Sequence, residues 1–310
     1  MFTPRKINDL EPKIREFCAR SLDPIVGSVM GGMKFGLHLG TVNTRYWGEV
    51  AETADRLGFE SLWVPEHLVV PHIATGSPHH GTEHPPIASN IPMFDALGVL
   101  CHLAARTQRI RLGTHVYNIG LRHPFVTARA AVTVDVLSEG RLDLGIGASW
   151  LRAEWDAVGL DFDTRGSRVD EAIEVCRRLW TEESVEHRGE FFEFPSTSFE
   201  PKPVQRPLPL HIGGDGAAAL RRAASVGAGW MPMNHTLDQL PESLARLATL
   251  AERAERVTPI EVTFAGQVET DDDVQRHASA GVTRMIVRPW ANSRDAIDGM
   301  HRFAARFLDE

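Results

Sequence analysis

From Lys34 onward the chain alternates two textures: short apolar runs of strand length, then longer segments whose apolar residues recur every three or four positions. KFGLHL (34–39) precedes a segment with Trp47, Val50, Ala51, Ala54 and Leu57 on one helical face, closed by Gly58 where a left-handed cap is favoured. SLWV (61–64) opens a second unit, and after a long loop Leu97, Leu100, Cys101 and Ala104 mark its helix. RIRLGTHVY (109–117) is followed by a helix carrying Val126, Ala130, Val134 and Leu137, and RLDLGIG (141–147) by a long one carrying Val169, Ile173, Cys176 and Trp180. The rhythm breaks at HRGEFFEFPSTSFEPKPVQRPLP (187–209), where aromatics alternate with acids before prolines crowd in; this predicts an inserted hairpin and an extended crossing. It resumes with PLHIGG (209–214), GAGWMPM (227–233), IEVTFAG (260–266) and TRMIVRP (283–289), each leading into a helical segment.

Eight strand–helix units with right-handed crossovers predict an α/β fold, a single (β/α)8 TIM barrel over residues 33–310 with an inserted segment after strand four. A doubly wound sheet is the alternative, but it would usually split into two halves or carry a glycine fingerprint after its first strand, which this chain lacks. Residues 1–32 are polar and mixed, and Met33 follows Gly31-Gly32, so the compact domain is expected to begin at Met33 and the first 32 residues to be an N-terminal extension or a misassigned start.

Composition narrows the partners. At 310 residues and 43% hydrophobic content the chain can bury a full core, and its net charge of −8 comes without a long single-sign run. That pattern offers no footprint for nucleic acid or an anionic membrane, which leaves a small-molecule substrate. Cys18, Cys101 and Cys176 are far apart and form no Cys-x-x-Cys spacing, so a disulfide framework and a zinc site are not indicated. With no apolar run of membrane-spanning length and no signal-peptide segment, a reduced, cytoplasmic protein is expected. A homodimer is the default for a barrel of this size.

In such a barrel the chemistry gathers where the strands end. Those ends offer His38 and Gly40, Glu66-His67, Thr114-His115-Val116, Gly145 to Trp150, His211 to Asp215, Trp230 to Asn234, and Arg288. An isolated Glu-His pair is most often a surface feature, but four histidines at or near different strand ends exceed scatter. Gly145 and Gly147 fall on one strand face and could admit a flat ligand or its phosphate; Gly213-Gly214 could open a helix toward an anion. Both pairs also suit plain tight turns. The loop from Pro65 to Asn90, with His72, His79, His80 and His84, is long enough for a lid or substrate wall, though no second cluster supports a metal there.

Taken in order, SLWVPEH, IRLGTHVYNIGLRHP, RLDLGIGASWLRAEWDAVG, RGSRVDEAIEVCRRLW, FEPKPVQRPLPLHIGG and GAGWMPM resemble the bacterial luciferase-like superfamily, and more narrowly its actinobacterial branch that uses coenzyme F420, a deazaflavin. The resemblance runs from about Met33 to the C-terminus. It implies a flavin-like ring across the barrel mouth, a histidine near the ring's reactive edge at His67, and a non-prolyl cis peptide behind the ring at His115-Val116. Relatives that oxidise sugar phosphates place an acid where this chain has Trp150, and an indole cannot shuttle a proton; Trp150 is expected to pack on cofactor or substrate.

The resulting expectation is an F420-dependent oxidoreductase that moves a hydride between the deazaflavin and an organic substrate. His67 is the candidate general acid/base, and Glu66 is the candidate to orient it or to contact the cofactor. Thr114, His115 and Val116 are expected to back the ring; His38, Gly145, Gly147, Ala148, Ser149, Trp150, Arg168, Gly213 and Gly214 are further candidates for binding the cofactor, with Arg165 one helical turn before Arg168. The rivals are an FMN-dependent monooxygenase on the same fold, a metal-dependent hydrolase built from His38, His67, His115 and His211, and a non-catalytic F420-binding protein.

Overall fold

The structure of the protein, a computed structural model, describes residues 32–40, 42–72 and 90–308. The expectations for the N-terminal extension, apart from Gly32, and for Cys18, His79, His80 and His84 lie outside the described residues.

The first unit is β1 (Lys34–His38) and α1 (Trp47–Leu57), closed by Gly58 at φ +84, in the left-handed region that the sequence reserves for a residue without Cβ. Next come β2 (Ser61–Val64) and α2 (Ala96–Ala104), whose N-cap Asp95 accepts from the Gly98 N–H at 2.7 Å. The third strand is broken in two, β3 (Arg111–Thr114) and β4 (Tyr117–Asn118), with a cis peptide at His115-Val116 between them, as the resemblance implies. Its helix is α3 (Pro124–Leu137), with proline in the first turn, where a missing N–H costs nothing.

Strand β5 (Leu142–Gly147) leads to two helices where the sequence suggested one: a short α4 (Arg152–Ala157) and the long α5 (Arg165–Thr181). The inserted segment forms an antiparallel hairpin, β6 (Ser184–Arg188) and β7 (Glu193–Ser198), outside the barrel. The remaining units are β8 (Leu210–Gly213) with α6 (Ala217–Val226), β9 (Gly229–Met231) with α7 (Leu240–Arg253), β10 (Glu261–Ala265) with α8 (Asp271–Ser279), and β11 (Arg284–Val287) with α9 (Ala296–Phe307).

Eight parallel strands close on themselves in the order β1, β2, β3, β5, β8, β9, β10, β11 and back to β1, a (β/α)8 TIM barrel; β4 pairs with β5 beyond the break. Registry sets Leu37 beside Leu62, Leu62 beside Leu112, and Leu112 beside Leu142, a row of buried leucines in the main apolar core. The alternate positions face the barrel axis. There Trp63, fully buried, sits with Met231 and Ile286, and a Cβ on Gly36 or Gly113 would come within 2.9 Å of its indole.

The opposite end of the barrel is filled by charge. Arg111 binds Asp143 through two hydrogen bonds of 2.7 and 2.6 Å, and Arg284, 1% exposed, binds Glu60 through 2.8 and 2.7 Å bonds and Glu261 at 3.0 Å. Burial alone would raise the Asp143 carboxyl, but Arg111, His211 and Arg284 hold it well below the usual carboxylate range. His211 belongs to this layer, 3.4 Å from Asp143, and not to the strand ends where the sequence placed it.

One predicted helical face is only partly buried. Of its four residues on α3, Val134 is buried and Ala130 half-buried, but Val126 and Leu137 are 56% and 57% exposed, and Thr127 and Ala131 are buried instead. The helix is apolar nearly all round, so spacing alone could not say which stripe meets the barrel.

Candidate active site

At the C-terminal ends of the strands lies a cavity of about 920 Å³, walled by the segments that follow β2, β3, β5 and β8. Of the residues expected there, Glu66, His67, His115, Val116, Gly147 and Ala148 line it, as do Ser149, Trp150, Gly213 and Gly214. His38, Thr114, Gly145 and Arg168 do not.

His67 is the half-buried imidazole of the wall. Its Nδ1 lies 3.1 Å from Glu154 Oε2, and Nε2 has no hydrogen-bond partner among the described residues. Glu154, on α4 and fully buried, also accepts from the Leu68 N–H at 2.5 Å, the Val69 N–H at 3.3 Å and the Ser149 hydroxyl at 3.3 Å. Trp150 stands edge-on to His67, 6.0 Å between ring centroids.

The expected role of Glu66 as the group that orients His67 is therefore corrected: that contact is made by Glu154. Glu66 is 4% exposed and already committed, accepting the Asn118 N–H at 2.8 Å and the Arg122 guanidinium at 2.6 Å.

The floor of the cavity is Val116. A Cβ on Gly147 would lie 2.7 Å from one Val116 methyl, and one on Gly213 would lie 2.8 Å from the other. These glycines admit the valine, whereas the sequence suggested room for a flat ligand at Gly147 and a helix opening toward an anion at Gly213. Gly145 is a glycine for a different reason: a Cβ there would come within 1.9 Å of the Thr114 carbonyl oxygen, while the Thr114 hydroxyl donates to Gly145 O at 2.6 Å. Gly214 N–H is likewise given to Met231 O, so it is not free for an anion.

His115, which lines the cavity next to Val116, stands edge to face with His38, 5.9 Å between ring centroids. Burial, with Arg288 adding to it, pushes His38 down to about 4; burial, with His38 adding to it, pushes His115 down to about 3. Both are neutral imidazoles at neutral pH, and His115 Nε2 is buried with no hydrogen-bond partner. Arg168 is occupied elsewhere, donating to Gly120 O at 2.8 Å and lying over the Phe192 ring of the hairpin, whereas Arg165 does line the cavity.

The four histidines proposed for a metal hydrolase thus divide among three places, and among the described residues no group of three or more His, Cys, Asp or Glu side chains could hold a metal ion. Also among them, no helix is long and apolar enough to cross a membrane. Sequence reasoning missed Glu154 and Asn118, and it named Asp215 only as the end of a strand-end run. Asp215 lines the cavity and ties the segment after β9 by accepting the Met233 N–H and bonding His235 Nδ1 at 2.8 Å. The one available signal for Glu154 was an acid in the first turn of a helix that starts at the barrel's reactive face, next to the buried Trp155.

A parallel barrel whose mouth holds an apolar-floored cavity and one carboxylate-backed imidazole defines a barrel of enzymatic type. Residues 29–306 match the family model of the luciferase-like monooxygenases, and the chain belongs to that family. An uncharacterized protein of Mycobacterium tuberculosis is 31% identical over 257 residues, covering 82% of this chain and 88% of that protein. The F420-dependent glucose-6-phosphate dehydrogenase of Segniliparus rotundus is 33% identical over 194 residues, covering 61% of this chain and 53% of that protein. Among solved structures, the monooxygenase RslO1 from Streptomyces bottropensis has the same fold, with a TM-score of 0.74 at 23% identity over 89% of this chain and 99% of that one.

Proposed function

We propose that the protein is an F420-dependent oxidoreductase acting on a small to mid-sized organic substrate, with His67 as its general acid/base. The observation that carries this reading is the His67 ring in the cavity wall, backed at Nδ1 by a fully buried carboxylate and leaving Nε2 for a reacting group. Likeness to a relative whose name states F420 dependence supports the choice of cofactor.

The residues present fit a flat heteroaromatic cofactor with a polar edge. Val116 offers an apolar surface beneath it, and the unpaired His115 Nε2 offers a polar atom with no other use in the fold. Val116, His115, Trp150 and the Gly147 to Ser149 turn would hold the ring region, and Arg165 replaces Arg168 as the candidate cation for its phosphate. Bound there, the deazaflavin supplies the hydride acceptor or donor. The chain's part is to place the substrate, shed water from an apolar site, and give or take one proton at His67 Nε2.

A second reading, an FMN-dependent monooxygenase, is favoured by the family match and by the fold shared with a monooxygenase. His67→Ala tests the role of the imidazole under either cofactor. Turnover should fall about 10²-fold or more while cofactor affinity stays within several-fold. Unchanged turnover would remove His67 from the chemistry, and would leave a protein that only binds the cofactor.

A further inference from the structure

Glu154 sits where three segments meet: α4 that carries it, the turn after β5 that carries Ser149, and the segment after β2 that carries His67, Leu68 and Val69. Its two oxygens face four groups able to donate, two of them backbone N–H groups that can do nothing else. Ser149 contributes from a left-handed backbone, φ +58, uncommon outside glycine, which brings its hydroxyl within 3.3 Å of Glu154 Oε2 and 3.2 Å of the Leu151 N–H. The Leu68 and Val69 N–H groups and the Ser149 hydroxyl all donate to it, an environment that suits the ionised, acceptor-only carboxylate, and an acceptor of that kind calls for a hydrogen on the imidazole nitrogen opposite.

We propose that Glu154 is a positioning residue that holds the His67 proton on Nδ1, so that Nε2 meets the substrate as a proton acceptor in the resting protein. The inference rests on the reading of His67 as the proton carrier and deepens it, because it states which nitrogen works and in which sense first. It also assigns a purpose to the buried acid that the sequence alone hides within a helix.

Glu154→Gln inverts the arrangement at nearly constant volume. The single carbonyl oxygen of the amide must serve the Leu68 and Val69 N–H groups, which leaves the NH2 end facing His67 Nδ1 and Ser149. A donor opposite Nδ1 favours the other tautomer, with the hydrogen on Nε2. A role that is only structural would leave the tautomer alone.

The experiment is nitrogen-15 NMR of protein labelled at histidine, at a pH where the imidazole is neutral, with the His67 signals identified by their loss in His67→Ala. Protonated and unprotonated ring nitrogens are well separated in shift. The expected result is protonated Nδ1 in the native protein and protonated Nε2 in Glu154→Gln, with F420 affinity changed by no more than several-fold. A native His67 carrying its proton on Nε2, or averaging between tautomers like free imidazole, overturns the proposal, and so does an unchanged tautomer in the variant. Should Glu154→Gln fail to fold, the native spectrum alone decides between these results. The spectrum needs neither cofactor nor substrate, so a failure of F420 to bind would count against the proposed function and not against this assignment.

Discussion

Replacing Glu66 with glutamine separates a structural carboxylate from a catalytic one. The side chains of Glu66 and Arg122 are 1% and 10% exposed, 2.6 Å apart, and the same carboxylate accepts the Asn118 N–H at 2.8 Å. Arg122 has few other outlets: its guanidinium lies over the Tyr117 ring, 4.4 Å from the centroid, and its Nη1 is buried without a partner. Removing one member of a buried pair costs about 3–5 kcal/mol because the other charge is left uncompensated. Glutamine keeps an oxygen for one of the two donors, which points to the lower end, about 3 kcal/mol. At about 2.1 cal/mol/K per residue, a chain of 310 residues has an unfolding entropy near the midpoint of about 0.65 kcal/mol/K, so the expected fall in Tm is roughly 5 °C. Differential scanning calorimetry reads that shift directly. Turnover measured well below the new midpoint should stay within about threefold of the parent. An unchanged Tm combined with a loss of turnover comparable to that of His67→Ala would refute the structural assignment and restore Glu66 to the chemistry.

Three further outcomes follow from the same geometry. Gly145→Ala drives a methyl into the Thr114 carbonyl and should cost about 3 kcal/mol or more, seen as a lower Tm or loss of folded protein; a Tm within 1 °C or so of the parent would mean the strands are not in that contact. Gly147→Ala meets only the Val116 side chain, so it should be milder for stability yet weaken F420 binding about tenfold by displacing the floor, as read by fluorescence titration. The neutral His38 and His115 make stability fall in acid: the unfolded chain takes up protons below about pH 6.5, the folded one holds off until about 4 at His38 and about 3 at His115. Their contribution is complete above pH 6.5 and is lost as the pH falls through that window, about 3 kcal/mol from His38 alone at about 1.4 kcal/mol for each pH unit. Tm measured from pH 7 to 4 should fall, and His38→Gln should flatten the fall; a slope unaffected by that substitution would place the acid sensitivity elsewhere.

The barrel was legible because its signals are local. Apolar runs, helical spacing and Gly58 each depend on a few neighbouring residues, and eight repetitions leave one closed arrangement. His67 was legible for the same reason, as a polar residue just beyond a fully buried strand. Its partner was not, since Glu154 lies 87 positions away and only tertiary packing brings it in, while adjacency falsely favoured Glu66. Gly147 carried a true signal with the wrong object. Close approach was needed, but what approaches is Val116, carried inward where the third strand breaks. Arg165 and Arg168 differ by a helical turn, and the hairpin rings that capture Arg168 belong to a different element altogether.

The most direct test of the central claim is titration of the purified protein with F420, and in parallel with FMN and NADPH, following cofactor fluorescence and tryptophan emission. Saturable binding of F420 alone, at micromolar concentration or below, is the result predicted for a deazaflavin resting on Val116 beside Trp150 and His67. Tight binding of FMN without F420 would contradict the account and turn the same cavity to monooxygenase chemistry.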